Sequence, residues 1–400
     1  MVSDLVSSLP FGPERAFRLI VSGGGTGGHT YPALTAVRAL AARLAVHGRA
    51  LEVLWVGTAG SLEERVAAGE GITFAPVVTG KIRRSSNPLK MLSVANAKDM
   101  GRVPLGAAQA RSIVSDFHPD VVLGTGGYVA VPIGLAARVC RVPLVIHEQT
   151  VRLGLANKAL ARAAARVAVS SEASLPLLPG SARRTAVVTG NPVRPEVLAG
   201  SADKAVAALG LYGFDRRLPT VYVTGGAQGA RQINQAVGAV LPWLLERANV
   251  VHQCGPTAVE ELSAQAATLP EALAARYFLT GFVGPELPDV LALADVVVSR
   301  SGAGTIAEIT ALGKASVLVP LATSAGNEQA HNAGHLQQAG AAVALLGNVT
   351  PETLREAVSP LLADPERRAE VARQARAHGR PEAAELLVDV LLSVVAGGRP

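Results

Sequence analysis

The feature that most constrains the fold of this 400-residue chain is a recurring unit: a short apolar run, a cluster of glycines, then an Ala-rich stretch with helical spacing. Phe17–Ser22 leads into Gly23-Gly24-Gly25-Thr26-Gly27-Gly28-His29 and then Pro32–Val46. Leu51–Val56, Asp120–Leu123 and Leu144–His147 read as further strands, the second followed by Gly124-Thr125-Gly126-Gly127-Tyr128. After the Asn191–Pro195 turn the pattern restarts with Thr220–Thr224, Gly225-Gly226-Ala227-Gln228-Gly229-Ala230 and Gln232–Glu246. It continues through Val250–Gln253, Tyr277–Leu279, Asp295–Ser299, a helix from Thr305, and Ala315–Pro320. Strands that are apolar throughout and alternate with helices belong to parallel sheets covered on both faces. The expectation is an α/β protein with two Rossmann-like domains, 1–193 and 194–380, facing each other across a cleft. Residues 196–220 read as the link and the first elements of the second domain. A terminal helix, 381–400, opens with Pro381 and packs back on the first domain.

Hydrophobic residues at 49% and charged residues at 17% exclude a mostly disordered chain. The charge balance, Lys+Arg 37 against Asp+Glu 31, gives +6. That excess does not call for nucleic acid; it suits an anionic small substrate or an anionic membrane surface. Cys140 and Cys254 make neither a disulfide framework nor a metal cluster, which fits a reducing compartment. The N-terminus lacks the basic start of a signal peptide, and the apolar stretch Val129–Ile146 is broken by Arg138, Arg141 and two prolines. A soluble cytoplasmic protein is expected.

A helix N-terminus presents unpaired N–H groups and a partial positive charge, and glycine lets a phosphate approach them closely. A single glycine cluster can be no more than a tight turn. Three of them, in both halves, point to a phosphate-bearing ligand. Gly23, Gly25 and Gly28 satisfy the G-x-G-x-x-G spacing of a dinucleotide site. The acid that would hold the ribose is missing, because the next strand ends in Gly57-Thr58-Ala59; this argues against a nicotinamide enzyme. A fourth turn, Asp295 to Glu308, is a strand, a small-residue loop Ser301–Thr305 and a helix start. Its backbone can take phosphate, and Glu308 can accept from a ribose diol or merely favour the helix dipole. Asn327–Asn332 offers amides suited to sugar hydroxyls or to capping a helix.

Together these residues resemble the MurG family, which transfers N-acetylglucosamine from UDP-GlcNAc to undecaprenyl-linked lipid I. The likeness runs from Val21 to about Ala342 through GGTGGH at Gly24–His29, GTGGY at Gly124–Tyr128, HEQ at His147–Gln149 and GLANK at Gly154–Lys158. It continues through GNPVR at Gly190–Arg194, GGAQGAR at Gly225–Arg231 and the RSGAGTIAE run. The resemblance implies a GT-B fold with the donor held mainly by the second domain. It implies that Arg194 contacts the nucleotide, that Phe282 and Val283 form the uracil pocket with Val283 pairing through its backbone, and that Ala303, Gly304 and Thr305 bind pyrophosphate. Glu308 would take the ribose and Gln329 the sugar hydroxyls, while Thr26, Gly27 and Gly28 would line the meeting point of donor and acceptor. Three positions depart from the family pattern: Ala227 stands where serine is usual, Thr150 where asparagine follows HEQ, and Glu328 where His or Gln is frequent.

The implied reaction makes a β1→4 bond from an α-linked donor, so it inverts C1 and needs a general base and support for departing UDP. His29, ending the first glycine loop, is the candidate base, with Glu148 and His147 as competitors that can equally hold the following loop. Arg300 and the helix start at Ala303–Thr305 are candidates for the leaving group. No Asp-x-Asp occurs, so no metal ligand and no cofactor are expected. The partners implied are UDP-GlcNAc, lipid I, an anionic membrane surface and cell-wall synthesis proteins, at the cytoplasmic face of the plasma membrane. Lys81, Arg83, Arg84 and Lys90 beside Leu89, Met91, Leu92 and Val94 are the candidate membrane patch. Other readings of the fold are a transferase using another lipid, a UDP-GlcNAc 2-epimerase and a non-catalytic UDP-sugar binder.

Overall fold

The computed structural model describes residues 5–79 and 103–397. By internal contacts the chain forms two compact units, Met1–Pro192 with Glu382–Pro400, and Val193–Pro381.

The first unit holds a seven-stranded sheet. Its strands are β1 (Phe17–Gly23), β2 (Leu51–Gly57), β3 (Thr73–Pro76), β4 (Val121–Gly126), β5 (Leu144–Glu148), β6 (Arg166–Val169) and β7 (Ala186–Val188). They lie in the order β3-β2-β1-β4-β5-β6-β7, and every pairing is parallel. The second unit holds β8 (Thr220–Thr224), β9 (Asn249–Gln253), β10 (Tyr277–Thr280), β11 (Val296–Ser299), β12 (Ala315–Leu318) and β13 (Val343–Ala344). Their order is β10-β9-β8-β11-β12-β13, again all parallel. Strands β4, β5, β8, β9, β11 and β12 are buried at every residue, which is why their centres read as apolar runs, with polar residues gathered towards their ends.

Each sheet reverses its winding once, between β1 and β4 and between β8 and β11. Ligands of doubly wound sheets lie at such switch points, beyond the carboxyl ends of the strands. All four loops singled out from the sequence follow one of these four strands.

The helix after β1 spans Gly27–Val46 and begins ahead of Pro32, where the proline had suggested a start. Thr26, in extended conformation, is its N-cap, and its carbonyl accepts from His29 and Thr30, so the glycine loop itself forms the first turn. After β11 the helix Ala303–Leu312 starts at Ala303, with extended Gly302 as N-cap. Residues 196–220 are not a free link: helices Pro195–Leu198 and Ala202–Leu209 belong to the second unit, where the Ser201 N–H donates to Asp289 at 2.7 Å.

The last helix, Ala383–Ala396, belongs to the first unit. Leu387, Val388, Leu391 and Leu392 are buried in one core with Phe17, Leu19, Val21, Leu40, Leu44 and Leu123. Arg43 pairs with Asp389 at 3.1 Å and also with Glu385. No described helix is long and apolar enough to cross a membrane. The candidate membrane patch, Lys81 to Val94, lies outside the described residues.

Candidate active site

In the first unit the two glycine loops interlock. The Gly24 N–H donates to the Gly126 carbonyl at 3.3 Å, and the Thr125 hydroxyl donates to the His29 carbonyl at 3.0 Å. The His29 ring lies so close to Gly126 that a Cβ there would fall 2.9 Å from its Cε1, at a φ of 110°. Glycine is required here for space and for conformation.

Beneath the first loop sits Glu63, a residue that the sequence reading missed. It is 1% exposed, and its carboxylate accepts from the Gly25 N–H at 3.1 Å and the Thr58 N–H at 3.3 Å. The sequence signal was there to see: Ser61 caps the helix Leu62–Gly69, and Glu63 stands in its first turn. Thr26 offers no side-chain cap, so the N–H groups of Gly27 and Gly28 at the helix start are the donors this loop presents to a ligand.

The HEQ segment ends β5, and its three side chains divide the work in a way that the sequence did not reveal. Glu148 is 2% exposed and receives four hydrogen bonds. Oε1 accepts from the Thr150 N–H (3.0 Å) and hydroxyl (2.8 Å); Oε2 accepts from the Gly154 N–H (2.8 Å) and Asn157 Nδ2 (3.0 Å). Glu148 therefore anchors the loop that follows β5. His147 is fully buried and held to about 4, below the ordinary histidine value, because burial disfavours the imidazolium. With no exposed surface and Nε2 against the Gly190 carbonyl, its ring offers nothing to a substrate hydroxyl. The Thr150 hydroxyl lies between Glu148 Oε1 and the Arg152 carbonyl (2.7 Å), so it turns inward rather than towards a sugar. Gln149 touches the candidate base itself: its Oε1 lies 3.0 Å from His29 Nδ1. Asn191, of the GNPVR run, is buried with neither its Oδ1 nor its Nδ2 partnered, a second polar group the sequence reading passed over.

In the second unit, Arg194 and Glu308 meet, Nη2 to Oε1 at 3.0 Å. Burial raises the Glu308 carboxyl and the Arg194 charge opposes that rise. The helix Ala303–Leu312 has no side-chain cap; its first return bond is from the Ile306 N–H to the Gly302 carbonyl. The N–H groups of Ala303, Gly304 and Thr305 thus open beyond β11, one turn from Glu308. Ser301 braces this turn, donating to the Gln329 carbonyl at 2.8 Å. The Gln329 side chain accepts through Oε1 from the Leu321 N–H at 3.0 Å, which leaves its NH2 half for a ligand. Arg300 is turned elsewhere: Nη1 faces Gln232 and the carbonyls of Val319 and Pro320, each at 3.1 Å. Through that nitrogen it clamps the end of β12.

Gln253 ties the remaining pieces together. Its Oε1 accepts from the Val283 N–H (2.9 Å) and the Tyr222 hydroxyl (3.2 Å), and its Nε2 donates to the Gly226 carbonyl (2.9 Å) and Thr224 Oγ1 (3.1 Å). The backbone N–H of Val283 is thereby engaged, so a base can be paired only through its carbonyl unless Gln253 lets go. Ala227 stands exposed in the loop after β8. Among the described residues no group of three or more His, Cys, Asp or Glu is placed to hold a metal ion.

Residues 19–169 match the glycosyltransferase family 28 N-terminal domain and residues 220–387 its C-terminal domain. The chain is 37% identical, over 94% of its own length and 99% of the relative's, to the UDP-N-acetylglucosamine–N-acetylmuramyl-(pentapeptide) pyrophosphoryl-undecaprenol N-acetylglucosamine transferase of Listeria welshimeri. The crystal structure of Acinetobacter baumannii MurG superposes with a TM-score of 0.71 at 28% identity, covering 94% of this chain and 99% of that one. A UDP-GlcNAc 2-epimerase from Neisseria meningitidis bound to UDP-GlcNAc superposes at 0.64 but is 15% identical, covering 94% and 99%, and shares the fold alone. Two parallel doubly wound sheets, glycine loops at each switch point and similarity along almost the full length place this chain in glycosyltransferase family 28, within the MurG family.

Proposed function

We propose that this protein transfers N-acetylglucosamine from UDP-GlcNAc to the 4-hydroxyl of the muramoyl sugar of undecaprenyl-linked lipid I, giving lipid II, with inversion at C1. The observation that carries the reading is the uncapped start of helix Ala303–Leu312 with Glu308 one turn on and Arg194 against it. A diphosphate meets the N–H groups of Ala303, Gly304 and Thr305, the ribose diol meets Glu308, and the Arg194 charge opposes the rise that burial imposes on that carboxyl. Val283 offers its carbonyl to the uracil N–H, Gln329 its NH2 to a sugar hydroxyl, and the loop at Ala227 its backbone alone.

The first unit holds the acceptor, with the N–H groups of Gly27 and Gly28 beside Thr26 for its pyrophosphate. His29 is the base. As the 4-hydroxyl oxygen bonds to C1, the bond from C1 to the UDP β-phosphate oxygen breaks and its electron pair leaves with UDP. The hydroxyl proton passes to His29. No cofactor enters this scheme. The acceptor's lipid tail stays in the bilayer, so the protein works as a peripheral enzyme at the cytoplasmic face of an anionic membrane.

The test is transfer of radiolabelled GlcNAc to a short-chain lipid I analogue by wild type and His29→Ala. Product from wild type and a loss of about 10²-fold or more in the variant are expected. Binding of UDP-GlcNAc without product would overturn the reading, and full activity in His29→Ala would remove His29 as the base.

A further inference from the structure

The candidate base does not stand alone. From His29 a line of hydrogen bonds runs through Gln149 and His147 to the backbone of Gly190. His29 Nδ1 lies 3.0 Å from Gln149 Oε1; Gln149 Nε2 lies 3.1 Å from His147 Nδ1 and 3.1 Å from the His147 carbonyl. His147 Nε2 lies 2.9 Å from the Gly190 carbonyl. Gln149 and His147 are both buried.

The direction of this line is determined at two points by groups that can only accept. The Gly190 carbonyl requires the proton of neutral His147 on Nε2, which leaves Nδ1 bare. Burial, which keeps His147 neutral, agrees with that arrangement. The His147 carbonyl and the bare Nδ1 both require the NH2 half of Gln149 on their side, so Oε1 must face His29. An oxygen there requires a proton on His29 Nδ1. Reversing the Gln149 amide would set Oε1 against two acceptors. Reversing His147 as well would set a bare Nε2 against the Gly190 carbonyl.

We propose that Gln149 is a positioning residue for glycosyl transfer: backed by His147 and the Gly190 carbonyl, it holds His29 in the Nδ1–H tautomer and leaves Nε2 as the bare nitrogen that takes the acceptor proton. The imidazole of a histidine on its own prefers the opposite tautomer only slightly, so one good acceptor on Nδ1 selects the form a base needs. When Nε2 takes the proton of the 4-hydroxyl, the Nδ1–H bond to Oε1 persists and strengthens, because its donor has become a cation. The neutral amide gains and loses no proton. This rests on His29 being the base.

Two measurements separate this proposal from that reading. The first is the tautomer itself, from long-range 1H–15N spectra of 15N-histidine-labelled protein, with signals assigned by His29→Gln and His147→Gln. In wild type we expect His29 protonated on Nδ1 and His147 on Nε2. The reverse form at either ring overturns the proposal, and this readout needs no Gln149 variant to fold. The second is kinetic. Gln149→Met, of similar size and without the amide, is expected to lower kcat about 10- to 100-fold, with KM for UDP-GlcNAc within about twofold and the Nδ1–H signature of His29 lost. Unchanged kcat in a folded Gln149→Met, while His29→Ala is inactive, overturns the positioning role and leaves the base in place. An active His29→Ala removes the base and the catalytic role of Gln149 with it, whatever the tautomer.

Discussion

The two units solve one problem with opposite materials. Both place glycine loops and uncapped helix starts beyond the strands that flank a switch point, and both must hold those loops still. The first unit braces them with buried carboxylates: Glu63 under Gly25 and Thr58, and Glu148 under Thr150, Gly154 and Asn157. The second braces them with neutral groups: Gln253 at Gly226 and Val283, and Ser301 at Gln329. Its half-buried carboxylate, Glu308, carries an arginine partner. A carboxylate is the stronger acceptor for backbone N–H groups, but it repels a diphosphate and uses up the donors a phosphate needs. The first unit is nonetheless proposed to hold a pyrophosphate at Gly27 and Gly28, so the contrast teaches that a phosphate loop tolerates an anionic brace on N–H groups other than those it offers the ligand. Neutral bracing is found where the donor diphosphate is proposed to bind, and anionic bracing beneath the loops that hold the base.

The largest effect expected from breaking this contrast is at Glu148. Glu148→Ala leaves several buried donors without an acceptor and should cost the first unit about 4 kcal/mol, read from denaturant unfolding. If the loss were below about 1 kcal/mol, the carboxylate would not be a brace. The next is a likeness rather than a difference. His147 on β5 and His252 on β9 are both buried and held at about 4. Unfolding releases each to about 6.5, so the unfolded chain takes up protons that the folded one refuses. The stabilisation is complete above about pH 6.5 and is lost as pH falls towards 4, about 3 kcal/mol for each unit. His252→Gln should flatten that slope for the second unit only, and an unchanged slope would count against the assignment.

A charge swap sharpens the contrast directly. Gln253→Glu puts an anionic brace under the loop after β8 and should weaken UDP-GlcNAc binding about tenfold in calorimetry, an effect that screening by salt reduces. Equal affinity would show that neutrality there is incidental. The smallest effect expected is Ala227→Ser, which returns a hydroxyl to a loop already supplied with backbone donors. Affinity for UDP-GlcNAc should rise no more than about threefold.

The strands and the glycine loops were legible because parallel, doubly covered strands have apolar centres and because the tight turns that follow them use glycine. The strands β3, β6, β7 and β13 were not, since two to four residues show no periodicity. Arg194, Glu308 and the Ala303–Thr305 turn were legible as candidates, and the structure brings the first two together. The contacts of Glu148, Thr150 and Arg300 were hidden for one physical reason. Sequence shows which side chains can bond a ligand but not whether the backbone has already taken them. Gln149 was passed over because its amide becomes informative only once the carbonyls of His147 and Gly190 are in place.

The helix Ala383–Ala396 has a consequence for how this protein is made. It completes the core of the first unit, yet the ribosome delivers it after residues 193–381, the whole of the second unit. At synthesis speeds of about 5–20 residues per second, Phe17, Leu19, Val21 and Leu123 wait on the order of ten seconds or more for their cover. During that interval the first unit lacks the cover that the last helix gives its core. A chain stopped at Pro192 would lack that cover permanently, so the first unit matures last although it is synthesised first.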